Sequence, residues 1–168
     1  GKLNAAYIAV DKNARTDRKN KVALYWESET GNEQKYTFLQ LANLSSRVAN
    51  LLKKLDIQRD ERVFIFLPRT PELYLSFLGI LKTGAIASTM FAAFGPQALK
   101  DRLGNSKAKI LITDSKLYPR VLKVKKELSD LKKVVLVDDW NRDLFLKEQK
   151  LTSKKAPPSC LWFYENLV

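Results

Sequence analysis

The sequence predicts an α/β fold: an open, mainly parallel β-sheet with helices on both faces, preceded by an N-terminal helix and a β-hairpin. Two observations support this prediction. Short apolar runs rich in β-branched and aromatic residues, typical of buried strands, stand at 63–67, 85–91, 110–113 and 134–137. Segments with apolar residues at helical spacing lie between these runs. Strands that alternate with helices form parallel sheets whose faces the helices cover.

The run 63–67 and the helix after it have clear start and stop signals. Pro68 ends the strand, and Thr70 supplies a hydroxyl for the N-cap of a helix. Pro71 suits the first helical position, and Gly84 suits the left-handed turn at the helix end. The predicted apolar face consists of Leu73, Phe77, Ile80 and Leu81. With the run 85–91, these elements form a βαβ unit, which predicts a right-handed crossover.

Two elements precede this unit. Residues 3–14 carry apolar side chains along one helical face, and we expect one helix there. Val22, Leu24 and Trp26 alternate with their neighbours, and turn residues at 29–32 separate them from a second short segment. This pattern predicts a β-hairpin over residues 22–37.

A long amphipathic helix follows the hairpin. Thr37 and Gln40 have the spacing of a capping box, in which each side chain accepts a hydrogen bond from the other residue's backbone amide. An apolar stripe at three- and four-residue steps comes next and indicates a helix packed against a core. The stripe consists of Leu41, Leu44, Val48, Leu51, Leu52 and Leu55.

The remaining pattern divides the chain into a subdomain, residues 1–138, and a tail, residues 139–168. Within the subdomain we expect a helix from Gly95-Pro96 to Leu103 and a lysine-rich helix over 117–128. In the tail, 141–150 fits a short helix, 152–159 has linker composition, and 160–168 is strongly apolar. That apolar end is either a strand of an intact domain, an exposed sticky end, or a segment docked on the sheet.

Composition limits the possible functions. A hydrophobic content of 45% over 168 residues is enough for a real core. The formal charge of +12 would attract nucleic acid, an anionic membrane or a polyphosphate ligand, although a solvated lysine-rich surface is the simpler explanation. The chain contains no histidine, which excludes imidazole chemistry, and Cys160 is its one cysteine, which excludes an internal disulfide. A reducing, cytoplasmic setting fits this cysteine content.

Several common motifs are absent. The sequence contains no GxGxxG, no GxxxxGK[ST] and no GxSxG. The lysines between 123 and 133 lack the interleaved aromatics of a nucleic-acid stacking platform, and Asp138-Asp139 has the character of a surface pair. Lys82 and Gly84 interrupt the apolar stretch 73–94, so we expect no membrane span there.

Four sequence blocks together resemble a known family. They are YTF at 36–38, RVFIFLPRTPELY at 62–74, TGAI at 83–86, and residues 91–102. Between about residues 3 and 138 the chain resembles the N-terminal part of AMP-forming acyl-CoA synthetases, particularly the acetyl-CoA synthetase (acetate–CoA ligase) branch of the adenylate-forming enzymes. The resemblance implies an enzyme that uses ATP and Mg²⁺ to convert a carboxylate into an acyl-adenylate. Coenzyme A then attacks the adenylate, giving acyl-CoA and AMP after pyrophosphate has left.

The resemblance also implies what lies elsewhere in the family's longer members. The phosphate loop ending in Pro-Lys-Gly, the acyl pocket, the ribose-binding aspartate and the C-terminal lobe have no match in these residues. We therefore expect the chain to be an N-terminal fragment that does not catalyse the reaction alone. Two alternatives stay open: a basic α/β module that binds nucleic acid or another polyanion, and a fragment that self-associates through its uncovered sheet.

One functional region of the family falls within the chain. The resemblance implies that Phe91, Ala92 and Ala93 lie near the nucleotide of coenzyme A, and that Arg120 contacts a phosphate. The family often has glycine at the positions of the two alanines. An aromatic face can stack on adenine, and a guanidinium can bind phosphate with two donors. The alternative is that Phe91 and Phe94 are core aromatics at the end of a strand.

Overall fold

The computed structural model describes residues 3–138 and the backbone of residues 160–162. The chain forms two compact units. The first contains the chain up to Asp60 together with Arg69–Ile86, and the second contains Glu61–Pro68 and the chain from Ala87 onward. No helix among the described residues combines the length and apolar composition that a membrane crossing requires.

The first unit consists of helices and the predicted β-hairpin. Its helices are α1 (a π-helical turn, Tyr7–Asp11, continued by Lys12–Ala14), α2 (Phe38–Lys54) and α3 (Pro71–Thr83). A short 3₁₀ turn, Asp17–Asn20, leads into the antiparallel strands β1 (Val22–Glu27) and β2 (Glu33–Thr37). The predictions of an N-terminal helix and of a hairpin over 22–37 are therefore confirmed.

Helix α2 begins at the predicted capping box. Gln40 N donates to Thr37 Oγ1 over 3.2 Å, and Thr37 N donates to Gln40 Oε1 over 2.8 Å. The buried face of α2 includes Leu41, Val48 and Leu52. The two side chains therefore pair the donors that a helix start leaves free, and the apolar stripe packs as predicted.

Helix α3 differs from the prediction at its start and on its buried face. Thr70 occupies the N-cap, but its hydroxyl makes no capping bond and Oγ1 is buried without a partner among the described residues. Phe77, predicted to be buried, is exposed, while Ser76 and Gly79 are buried. Because α3 packs closely against α2, small residues occupy much of the contact face and the large ring is displaced from it. The predicted glycine cap is confirmed, since Gly84 has φ +84°.

A nearly buried lysine joins the three helices of the first unit. Lys82 Nζ on α3 lies 2.6 Å from Asp11 Oδ1 on α1. The same ammonium donates to Ala42 O and to Ser46 Oγ on α2, both over 3.0 Å. The side chains of Lys82 and Asp11 are only 11% and 20% exposed. A buried ammonium with this many partners fixes the three helices in one arrangement.

The second unit is built on a five-stranded sheet. Its strands are β3 (Arg62–Phe66), β4 (Ile86–Met90), β5 (Ile110–Thr113), β6 (Lys133–Leu136) and β7 (Cys160–Trp162). The strand order is β4-β3-β5-β6-β7, and β3, β5, β6 and β7 run parallel. The α/β class and the parallel sheet are confirmed. The apolar end also contributes a strand, since β7 pairs with β6.

Helices α4 (Pro96–Asn105) and α5 (Tyr118–Leu122) belong to the second unit, with a 3₁₀ turn at Lys125–Glu127. They share a core with one face of the sheet. This core consists of Phe64, Phe66, Met90, Leu99, Leu103, Ala108, Leu111, Leu117, Tyr118, Val121, Val124, Leu128, Leu131, Val134 and Leu136. Alternate strand residues such as Val63, Ile65 and Ile112 are buried as well.

Two predictions for this unit were wrong in detail. The run 85–91 was expected to be a buried strand, but β4 is an edge strand and Ile86 is 48% exposed. The single helix over 117–128 is interrupted, because the N–H groups of Val124 and Leu128 bond three residues back rather than four. The tighter three-residue step keeps Val121 and Val124 both in the core while the intervening Lys123 lies outside it. The helix expected over 141–150, the linker at 152–159 and the end beyond residue 162 lie outside the described residues.

Candidate functional site

The candidate site is the turn formed by residues 91–94, which connects β4 to α4 within the second unit. Phe94 N donates to Phe91 O over 3.0 Å and closes the turn. Neither Ala92 nor Ala93 has a positive φ. Alanine therefore fits this backbone without strain, although the resembling family often has glycine at these positions.

Arg120 attaches this turn to helix α5. Its Nη1 donates to Ala92 O over 2.7 Å and to Phe94 O over 3.3 Å. The structure thus brings together the four residues that the sequence singled out, Phe91, Ala92, Ala93 and Arg120. Within the described part of the chain, the hydrogen bonds of Arg120 to the turn use Nη1, while Nε and Nη2 of the guanidinium are further donors.

Phe91 is presented to solvent. Its side chain is 69% exposed, whereas Phe94 is half-buried and packs against the core of the second unit. The two rings meet edge to face, with centroids 6.0 Å apart and an interplanar angle of 80°. The alternative that Phe91 is a core aromatic is therefore wrong. A large ring held in water on a hydrogen-bonded turn offers a flat apolar face to a ligand.

Sequence reasoning missed a second arginine at this turn. The guanidinium carbon of Arg102, on α4, lies 4.2 Å from the centroid of the Phe94 ring. In the sequence, Arg102 ends the block 91–102 that carries the resemblance, and no separate role was predicted for it. The contact between Arg102 and Phe94 depends on how α4 packs against the turn, so no local sequence signal could have identified it.

Polar groups also collect at the carboxyl ends of β5 and β6. Asp114 Oδ1 accepts a 2.7 Å hydrogen bond from Leu117 N and so supports the start of α5. Ser115 donates both its amide and its hydroxyl to the Asp138 carboxylate. Burial raises the pKa of Asp114, and the charge of Asp138 raises it further, against the opposing bond from Leu117. Asp138 thus has a structural partner, and Asp139 lies outside the described residues.

The Asp114→Asn variant tests this burial. Because the folded chain binds the Asp114 proton more tightly than the unfolded chain, the charge destabilises the fold near pH 7, and this effect disappears below the ordinary aspartate pKa of about 3.9. Asparagine keeps the acceptor for Leu117 N without the charge. We expect the gain in unfolding free energy of the variant over wild type to be larger at pH 7 than at pH 4, measured by urea titration. An equal difference at both pH values would contradict the raised pKa.

The described residues contain no cluster of typical metal ligands. Among residues 3–138, no three Asp, Glu, Cys or His side chains lie close enough together to hold an ion. Mg²⁺ that accompanies ATP is commonly held by one or two carboxylates together with the phosphates, so the resemblance assigns it to the ATP site of the whole ligase rather than to these residues.

The chain is similar in sequence to known enzymes. The family model of AMP-binding enzymes matches residues 10–161. The chain is 48% identical over 122 residues to an acetyl-coenzyme A synthetase of Bacillus subtilis (strain 168), covering 72% of the chain and 21% of that relative. It is 42% identical over 135 residues to a 3-hydroxypropionyl-coenzyme A synthetase of Sulfurisphaera tokodaii, covering 80% of the chain and 20% of that relative.

A solved structure of an acyl-CoA synthetase is similar to this chain in fold. The crystal structure of Brucella canis acyl-CoA synthetase superposes with a TM-score of 0.76 at 29% identity, covering 98% of this chain and 27% of that one. The chain thus spans about a fifth of the length of the curated relatives named above. Because the family model covers most of the chain, the chain belongs to the family of AMP-binding enzymes.

Proposed function

We propose that this chain forms the N-terminal portion of an AMP-forming acyl-CoA ligase that acts on acetate or another short-chain carboxylate. In the proposed reaction, ATP and the carboxylate give an acyl-adenylate and pyrophosphate, and coenzyme A converts the adenylate into acyl-CoA and AMP. Support comes from the family match and from two relatives named for acetyl- and 3-hydroxypropionyl-coenzyme A. We assign the reaction to the ligase that contains these residues rather than to this portion alone.

Within that reaction, we assign the turn 91–94 to the nucleotide end of coenzyme A. The single observation that carries this assignment is the exposed ring of Phe91 on a turn fixed by Arg120. The ring can stack on adenine, because aromatic side chains bind bases face to face. Arg120 keeps Nη1 on the turn, and its remaining donors can bind a phosphate oxygen. The small side chains of Ala92 and Ala93 leave the backbone of the turn accessible to a ligand.

Phe91→Ala tests this role. We expect the affinity of the chain for adenosine 3′,5′-bisphosphate, measured by isothermal titration calorimetry, to fall about 10-fold, since one base–aromatic stack contributes roughly 1–3 kcal/mol. The unfolding temperature should not change, because the ring is mostly in water. Tyr25→Ala is the matched control, since Tyr25 is also 69% exposed but lies on the hairpin.

Two outcomes would count against the assignment. If the Phe91 and Tyr25 variants bind adenosine 3′,5′-bisphosphate with equal affinity, Phe91 does not contribute to nucleotide binding. Binding of nonspecific DNA with a steep salt dependence, without selective nucleotide binding, would instead favour the basic polyanion-binding module. The formal charge of +12 keeps that alternative open.

Two further parts of the proposal concern the location and the assembly of the protein. A cytoplasmic location is favoured by the single cysteine, Cys160, in the whole chain. Self-association is favoured by the edge position of β4, because among the described residues no strand pairs with its outer side and such an edge is a template for pairing with another chain.

A further inference from the structure

We propose that Arg102 is a positioning residue for the nucleotide-binding turn. In this inference Arg102 holds the ring of Phe94, and Phe94 in turn fixes the orientation in which Phe91 meets the base. The inference rests on the function proposed above for the turn 91–94.

Three side chains, Arg102, Phe94 and Phe91, contact one another in series. The Arg102 guanidinium lies over the face of Phe94 at 4.2 Å, well within the range of a cation–π contact. The ring of Phe94 then meets Phe91 edge to face at 6.0 Å. Among the described residues, the Arg102 side chain donates one hydrogen bond, a long one from Nη1 to Ala98 O at 3.5 Å, so the Phe94 ring is its main contact there.

An exposed ring needs such support if it is to bind a base well. A free phenylalanine side chain samples several rotamers, and binding must then freeze it at a cost in entropy. The contact with Phe94 restricts Phe91 before the ligand arrives. Phe94 is half-buried, with its inner side against the core, so a cation stacked on its ring limits its movement outward.

Arg102 and Arg120 hold the turn in different ways. Arg120 reaches from α5 and binds backbone carbonyls, whereas Arg102 reaches from α4 and contacts a ring. Loss of Arg102 should therefore leave the hydrogen bonds of the turn in place and affect the aromatic pair.

The experiment compares Arg102→Met and Arg102→Lys, with Arg59→Met as control. Arg59 is an exposed arginine of the first unit whose side chain is 68% exposed. We expect Arg102→Met to weaken adenosine 3′,5′-bisphosphate binding about threefold, because exposed cation–π contacts are modest. Lysine should restore part of the loss, because it keeps the positive charge. Arg59→Met should bind like wild type, and the unfolding temperature of Arg102→Met should fall by no more than about 4 °C, since an exposed cation–π contact contributes about 1 kcal/mol or less.

Two further measurements separate positioning from direct contact. In a Phe94→Leu background, Arg102→Met should cause no additional loss of affinity, because the ring it acts through is gone. In the free chain, ring-labelled phenylalanine should show that Arg102→Met shifts the NMR signals of both Phe94 and Phe91.

Unchanged affinity of Arg102→Met, or a loss that persists undiminished in the Phe94→Leu background, would overturn the inference. If the wild-type chain binds no nucleotide, the proposed function fails, and the ring signals of the free chain decide separately whether Arg102 orients Phe91. Unshifted signals would then reject the inference.

Discussion

Replacing Lys82 with methionine is expected to lower the free energy of unfolding by about 3 kcal/mol, because removing one partner of a buried ion pair leaves the other charge uncompensated. Methionine preserves the length of the side chain but supplies no donor. The Asp11 carboxylate, only 20% exposed, then loses its cation, and Ser46 and the Ala42 carbonyl each lose a contact. Urea unfolding monitored by circular dichroism measures the change.

Lys35→Met provides the matched control. Lys35 pairs with Glu33 at 3.4 Å, but their side chains are 53% and 60% exposed. Such a surface pair contributes about 0.5 kcal/mol or less. If the Lys82 and Lys35 variants lose the same stability, the ammonium of Lys82 does not hold the helices of the first unit together.

Replacing Gly79 with alanine is expected to lower the free energy of unfolding by about 2 kcal/mol, within the range for overpacked cores. A methyl group at Gly79 would lie 2.6 Å from Val48 Cβ and 3.0 Å from Ser45 O, both on α2. These atoms lie on or next to the backbone, so α2 and α3 must move apart. Alanine favours a helix over glycine by about 1 kcal/mol, and the clash must exceed this gain. Thermal and urea unfolding together measure the change.

Replacing Gly104 with alanine should raise the free energy of unfolding rather than lower it. A methyl group at Gly104, on α4, would meet Leu128 Cδ2 at 3.8 Å, an ordinary contact. We expect this variant to gain about 0.5–1 kcal/mol from helix propensity alone. A Gly79→Ala variant that is as stable as Gly104→Ala would show that α2 and α3 do not approach each other as closely as the structure indicates.

Local signals predicted much of the fold. The capping box of Thr37 and Gln40 depends on two side chains three residues apart, so it is visible in the sequence. The strand at 110–113 was predicted with the correct bounds, because a short β-branched run flanked by polar residues is compatible with few other secondary structures. The glycine cap at Gly84 depends on one backbone angle that glycine tolerates.

Features that depend on distant partners were predicted less well. Apolar spacing alone assigned Phe77 to the buried face of α3, but the close approach of α2 selects Gly79 and Ser76 there. The run 85–91 has the composition of a buried strand, yet strand order places it at the sheet edge. Composition reports how apolar a segment is, whereas exposure depends on which neighbours the topology provides.

The candidate site shows the same division. Phe91 and Arg120 were identified through the resemblance, and the structure shows that Arg120 contacts the turn through carbonyls rather than through a side chain. Arg102 was missed because its contact with Phe94 joins a helix to the preceding turn in three dimensions. The sequence therefore predicted the position of the turn, and the structure identified the two arginines that contact it.

The most direct test of the central claim is a crystal structure of this chain with adenosine 3′,5′-bisphosphate at saturating concentration. We predict that the adenine lies parallel to the exposed face of Phe91 and that a phosphate oxygen lies within hydrogen-bond distance of Arg120. A nucleotide bound instead along the lysines between 123 and 133, or a Phe91 ring still facing open solvent at saturation, would contradict the claim that this turn receives the nucleotide of coenzyme A.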